Sequence, residues 1–171
     1  AIASQALESG AEWIWYVDDD HVFAPNSLTQ LLSRNVDIVS GLYLQRGFPF
    51  NPHLYDRERE IGSVYLRYLE HGESGLVPAL ATGAGCMLVR TNVIKRLEPP
   101  YWRLGQISAA AWGDDLDFCR RVRAAGFKIW CDLDLPVGHY MTTVVFPGKD
   151  ANGAWMTAIA EPDGRQLGVW P

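Results

Sequence analysis

The sequence predicts an α/β fold, a sheet flanked by helices, and three observations carry that expectation. Residues 13–17 read Trp-Ile-Trp-Tyr-Val, a run of aromatic and β-branched side chains suited to a strand covered on both faces. Helical and extended patterns alternate through the first part of the chain, the βαβ grammar of a parallel sheet. With 171 residues, 48% of them hydrophobic, the chain suits one domain with a real core.

Taken in order, Ile2, Ala3, Ala6 and Leu7 recur at helical spacing and Gly10 supplies a left-handed stop, so a helix over residues 2–9 precedes the first strand. Pro25-Asn26-Ser27 is a helix start, and Leu28, Leu31 and Leu32 give the apolar face of a short helix ending near Arg34. Residues 37–44 read as the next strand, apolar enough to be largely covered. Residues 45–60 read as irregular, broken by Gly47, Pro49 and Pro52, with the charge run Asp56-Arg57-Glu58-Arg59-Glu60 as a solvated face. Residues 64–69 predict a strand, closed by the polar turn over residues 71–75. Thr82-Gly83-Ala84-Gly85 is a small-residue loop running into a buried strand that ends at Arg90. Residues 92–97 form a short helix stopped by Pro99-Pro100, and residues 102–111 carry no clear pattern.

From Trp112 the pattern sharpens. Asp114 and Asp115 open a helix whose Leu116, Cys119 and Val122 share one face, Arg120, Arg121 and Arg123 sit toward its end, and Gly126 stops it. Acid at the start and base at the end both suit the helix dipole. Phe127, Ile129, Cys131 and Leu133 then alternate with Lys128, Trp130 and Asp132, predicting a strand with one face more open. Residues 142–171 read as a C-terminal extension to a domain spanning 1–141, with a strand over 142–146 and a turn at Glu161-Pro162-Asp163-Gly164 between short extended pieces. Trp155 and Trp170 either seal the core or line a groove.

Chemistry concentrates at three places. Asp18, Asp19 and Asp20 follow the first strand at once, and three carboxylates cannot all ionise side by side without a counter-charge. A divalent cation supplies one, and strand ends are where ligands sit in open α/β sheets, although a solvated acidic turn has the same sequence. Gly83 and Gly85 permit either a close backbone approach to a ligand or a tight turn. Asp114 and Asp115 are either helix caps or site residues, and His139, alone after a strand, is either structural or a ligand. Trp112, directly before the acidic pair, either offers a stacking surface or fills the core.

Composition excludes several classes. A net charge of -5 and a pI near 5.3 oppose non-specific nucleic-acid binding. Cys86, Cys119 and Cys131 form no Cys-x-x-Cys pair, so neither a disulfide framework nor a zinc knuckle is expected, and a reducing cytoplasm fits best. No apolar run has membrane-spanning length.

Together, the strand ending in Asp18-Asp19-Asp20, the Thr82-Gly83-Ala84-Gly85-Cys86-Met87-Leu88-Val89 segment, the Gly113-Asp114-Asp115 helix start and the Gly138-His139 ending resemble the family-2-like glycosyltransferases of GT-A fold over residues 1–140. The resemblance implies a Rossmann-like mixed sheet flanked by helices, with the earlier βαβ units of that family missing ahead of Ala1. It implies a metal-dependent transfer of a sugar from a nucleotide-sugar donor to a hydroxyl-bearing acceptor, inverting and non-processive. Asp18, Asp20 and His139 would hold Mn²⁺ or Mg²⁺, and Asp18, Asp19, Gly83 and Gly85 would face the donor. Asp115 would be the base that takes the acceptor's proton, and Asp114 and Trp112 would face the acceptor. One imidazole among oxygen ligands tilts the choice toward Mn²⁺. The Gln-x-x-Arg-Trp motif of processive synthases is absent. Two rivals remain at this stage. Asp18, Asp20 and Val22 also satisfy the Asp-x-Asp-x-[Thr/Val] signature of haloacid-dehalogenase-type phosphatases, in which the first aspartate is a nucleophile. A non-catalytic sugar- or nucleotide-binding module is the other.

Overall fold

The computed structural model describes residues 2–46, 50–58, 64–67, 69–103, 105–107, 110–149, 152–153, 155–160 and 166–170. For 58, 64–65, 105–107, 110–112, 144–149, 155–158 and 166–170 the description covers the backbone alone. In chain order the elements are α1 (Ile2–Glu8), β1 (Trp13–Val17), β2 (His21–Val22), α2 (Ser27–Ser33), β3 (Ile38–Leu42), β4 (Leu54–Glu58), β5 (Val64–Leu66), β6 (Leu76–Ala79), β7 (Ala81–Thr82), β8 (Cys86–Arg90), α3 (Thr91–Ile94), β9 (Gly105–Ile107), β10 (Ala110–Trp112), α4 (Asp114–Ala124), β11 (Ile129–Pro136), β12 (Gly138–His139), β13 (Val144–Lys149), β14 (Trp155–Ala160) and β15 (Gln166–Trp170).

The α/β expectation holds, with a five-stranded mixed sheet in the order β1-β8-β3-β11-β6. β8 lies between β1 and β3 and runs antiparallel to both, so those two strands are parallel to each other without touching. β11 pairs parallel with β3 and antiparallel with β6. The mixed sheet that was expected is thus observed: the helix–strand alternation gives the shared direction of β1 and β3, and a later strand fills the space between them.

Side-chain alternation in the central strands builds a core on each face. Ile38, Met87 and Val89 point to the side covered by α1, α3 and α4, where Phe118, Cys119 and Val122 of α4 are buried. Val39, Leu88 and Cys86 point to the other side, where Leu31 of α2 packs with Leu135 and Val137. A third cluster of Leu54, Val77 and Cys131 joins β4 to the sheet. The helix at α4 matches its sequence signals, with Asp114, Asp115 and Asp117 in the first turn, Arg121 and Arg123 in the last, and Gly126 at φ +91° just beyond.

Further expectations change. β1 is an edge strand of this sheet among the described residues, and only Ile14 of its five residues is buried, so the two-sided cover does not hold. Residues 54–58, read as irregular, form β4, the middle strand of a small sheet ordered β5-β4-β7. Pro52 sits just ahead of that strand in an isolated bridge to Leu44, where its missing N–H breaks no ladder. Leu76–Ala79 adds an edge strand, and β9 pairs antiparallel with β10. Asp132, assigned to an open face, is fully buried. The C-terminal segment forms an antiparallel meander, β13-β14-β15: the strand expected over 142–146 runs Val144–Lys149, and the extended pieces expected on either side of residues 161–164 are β14 and β15. The turn at residues 161–164, Arg59 and Glu60, and the side chains of Trp112, Trp155 and Trp170 lie outside the described residues. Among the described residues no helix is long and apolar enough to cross a membrane.

Candidate functional site

Chain direction brings the sequence-predicted residues to one mouth of the sheet. β1 ends at Val17, Asp19 and Asp20 form a turn, and the chain re-enters as β2, which pairs antiparallel with β12. In that register His21 stands opposite His139, and their rings stack at 4.3 Å with 17° between planes. The amide of Tyr140 donates to the Asp20 carbonyl at 2.7 Å and closes the ribbon. A two-residue pairing thus joins positions 118 apart in the chain.

Asp20, His21 and His139 each offer one ligand atom, and these atoms lie within 4.8 Å of one another. His139 Nδ1 lies 2.7 Å from the Leu44 carbonyl oxygen. Only Nδ1–H can donate there, which leaves the lone pair on Nε2, 3.5 Å from Asp20 Oδ2. Two ligands of one ion with bonds of about 2.1 Å span up to about 4 Å, so this separation fits. The side chain of His21 is 1% exposed; its Nδ1 approaches Asp20 Oδ1 at 3.2 Å but is poorly aligned, and neither ring nitrogen has a hydrogen-bond partner among the described residues. Buried imidazole nitrogens without partners are costly unless something else satisfies them. Burial and the neighbouring His139 lower the proton affinity of the His21 imidazole below its ordinary value, which favours the form that binds metals. Burial pushes the Asp20 carboxyl up, yet His139, Arg46 and His21 together outweigh it and leave the group below the usual carboxylate range. The trio therefore suits a divalent cation.

The trio differs from the expected one. Asp18 stands at its rim, with a side chain 61% exposed and Oδ2 4.0 Å from His21 Nδ1, and His21 takes the place expected for it. Asp19 is exposed at the tip of the turn. Gly83 and Gly85 are buried and pack against the site's own side chains. A Cβ on Gly83 would collide with the Tyr43 hydroxyl, and one on Gly85 would lie 2.8 Å from Asp18 Oδ2 and 2.9 Å from His21 Nε2. The Gly85 amide donates to the Tyr43 hydroxyl at 3.0 Å, and its carbonyl accepts from the Asp18 amide at 3.1 Å. Tyr43 in turn meets the edges of His21 and His139 at 4.5 and 5.8 Å. Gly85→Ala is expected to cost about 1–3 kcal/mol in urea unfolding, because the buried His21 ring must move; a change below about 0.5 kcal/mol would show that the ring yields freely.

Asp115 reaches the same mouth from α4. Gly113 allows it: a Cβ there would sit 2.6 Å from Asp115 Oδ1. The carboxylate accepts from the Leu116 amide at 2.7 Å. Burial, then the charges of Asp114 and Asp18, raise its proton affinity above that of an ordinary carboxylate. Asp114 is exposed, and its Oδ1 accepts from the Asp115 amide at 3.1 Å, a contact between neighbours in the first turn; the N-cap position itself is Gly113, which has no side chain to cap with. Asp18 and Asp114 both line a pocket of about 730 Å³, with Tyr16, Val17, Ala84 and Trp102 in its wall. A smaller pocket of about 240 Å³ opens beside His139, lined by Gln45, Arg46 and Met141 among others.

Three residues of the site were missed in the sequence. Strict alternation from Asp18 through Asp20 puts His21 on the opposite face; the turn resets it. Tyr43 lies next to the end of the strand expected over 37–44 and carried no signal of its own. Arg46, whose Nη1 lies 2.9 Å from Asp20 Oδ2, sat in the segment read as irregular.

The fold and site define an α/β protein with a candidate cation centre at the strand ends. No family model matches the chain, and no curated protein matches it. Among solved structures, the crystal structure of A197 from STIV is similar, with a TM-score of 0.55 at 14% identity over 96% of this chain and 70% of that one. At that identity the likeness establishes a shared fold.

Proposed function

We propose that this protein is a metal-dependent glycosyltransferase of GT-A type, moving one sugar at a time from a nucleotide-sugar donor to an acceptor hydroxyl with inversion. The observation that carries the reading is the meeting, at one mouth of the sheet, of Asp20, His21 and His139 with a half-buried Asp115 whose proton affinity is raised. Asp20 Oδ2, His139 Nε2 and a His21 ring nitrogen would hold Mn²⁺; two imidazoles beside one carboxylate favour it over Mg²⁺. A bound divalent ion would neutralise charge developing on the departing diphosphate. Asp18 and Asp19, exposed on the turn, would meet the donor, with Gly83 and Gly85 keeping the floor of the site low. Asp115 takes the acceptor hydroxyl's proton as the acceptor oxygen bonds to the anomeric carbon. The bond from that carbon to the diphosphate oxygen breaks, and nucleoside diphosphate leaves with the electron pair. Asp114, on the rim of the larger pocket, would meet the acceptor beside Trp112.

The phosphatase reading requires the late acids to end a hydrophobic strand, whereas Asp114 and Asp115 open α4. The test is release of nucleoside diphosphate from a panel of nucleotide sugars with and without Mn²⁺. Mn²⁺-dependent release is expected, and His139→Ala is expected to weaken Mn²⁺ binding at least about tenfold. Hydrolysis of p-nitrophenyl phosphate instead, or ligand binding with no turnover and no metal dependence, would replace this reading with one of its rivals.

A further inference from the structure

Asp20 already carries a positive partner. Arg46 Nη1 lies 2.9 Å from Asp20 Oδ2, the same oxygen that faces His139 Nε2 at 3.5 Å. Oδ1 is turned to His21. The guanidinium thus contacts the carboxylate oxygen best placed to bind a cation together with His139. Its side chain is 59% exposed, on the loop after β3, and it lines the small pocket beside His139. Such a group can leave Asp20 at little cost, because exposed ion pairs are weak. A divalent ion arriving at Oδ2 and Nε2 would face the guanidinium across a few ångströms, and like charges at that range repel.

We propose that Arg46 is the resident counter-ion of this site, pairing with Asp20 when no metal is bound and swinging to diphosphate oxygens when metal and donor are present. The first half needs only the cation centre; the second half rests on the proposed transfer from a nucleotide-sugar donor. Arg46 serves this exchange because its planar fork can grip a carboxylate or a phosphate with two parallel hydrogen bonds. The small pocket, lined by both Arg46 and His139, gives an anion room next to the cation.

The experiment is a comparison of wild type, Arg46→Gln and Arg46→Lys. Mn²⁺ alone is titrated by calorimetry and by loss of the free-ion paramagnetic resonance signal, and inorganic pyrophosphate is titrated at saturating Mn²⁺. Arg46→Gln is expected to bind Mn²⁺ about two- to fivefold more tightly than wild type and pyrophosphate about tenfold more weakly. Arg46→Lys is expected to restore the metal affinity but not the full pyrophosphate affinity. Unchanged or weaker Mn²⁺ binding by Arg46→Gln overturns the counter-ion role. Tighter Mn²⁺ binding with unchanged pyrophosphate binding overturns the swing to phosphate. The metal titration stands apart from the transferase reading: a panel of nucleotide sugars that yields no nucleoside diphosphate sinks that reading and leaves the exchange at Asp20 measurable.

Discussion

On the proposed transferase reading, Asp115→Asn is expected to slow sugar transfer by about 10²- to 10⁴-fold, the span that a positioned general base contributes. Asparagine keeps the shape and can still accept the hydrogen bond from the Leu116 amide, so Mn²⁺ affinity is expected to stay within about twofold. The variant should also gain stability at neutral pH. Burial raises the proton affinity of Asp115 in the folded state, so its stabilising contribution is fully present below the unfolded pKa and is lost as pH rises through the folded pKa. Above that window the native protein holds a poorly solvated carboxylate, a cost that asparagine removes. A rise in melting temperature on the order of 2 °C at pH 7, shrinking toward zero in acid, is the expected signature. The wild-type rate should correspondingly fall with acidification at a pH above the ordinary carboxylate value of about 3.9. Equal loss of transfer and metal binding, with a lower melting temperature, would make Asp115 a structural residue and remove the base from the mechanism.

The parts of this protein that were legible in the sequence are those whose physics is local. Helix α4 declares itself through a 3.6-residue apolar period, acids at one end, arginines at the other and a glycine stop, all within fourteen positions. β1 and β3 declare themselves as apolar runs. What neighbours them does not, because the insertion of β8 between them depends on chain 70 positions away. The site divides the same way. Asp20 and Asp115 carry a signal in their immediate surroundings, but His21 faces His139 only because a turn breaks the period-two pattern and a distant two-residue strand supplies the register. The glycines of Thr82-Gly83-Ala84-Gly85 were legible as a close approach. What approaches them in this structure is Tyr43, His21 and Asp18. Asp132 was misplaced for a parallel reason: alternation put a carboxylate on the face away from Cys131, and only the partner can tell whether that face is wet.

That partner is Arg34, and Arg34→Ala is expected to lower unfolding free energy by about 3 kcal/mol or more, the largest stability effect anticipated at any single position. Asp132 is fully buried on β11, where its carboxylate accepts from Arg34 Nε at 2.8 Å and Arg34 Nη2 at 2.7 Å. Gln30 Nε2 at 3.1 Å and the Asp134 amide at 3.1 Å complete its shell. Arg34 stands at the C-terminal cap of α2, so the fork ties that helix to the sheet as well as neutralising the charge. Removing the guanidinium leaves a buried anion with two neutral donors, which do not replace a charge-assisted pair. The loss should exceed that of removing both charges together. A double change, Arg34→Met with Asp132→Leu, is expected to be less destabilising than Arg34→Ala alone, since it deletes the uncompensated charge and restores apolar packing beside Trp130 and Leu31. Urea unfolding of the two variants decides it: a single change costing under 1 kcal/mol, or a double change costing more than the single, would show that Asp132 is solvated in practice and that α2 is held by Leu31 and its apolar neighbours instead.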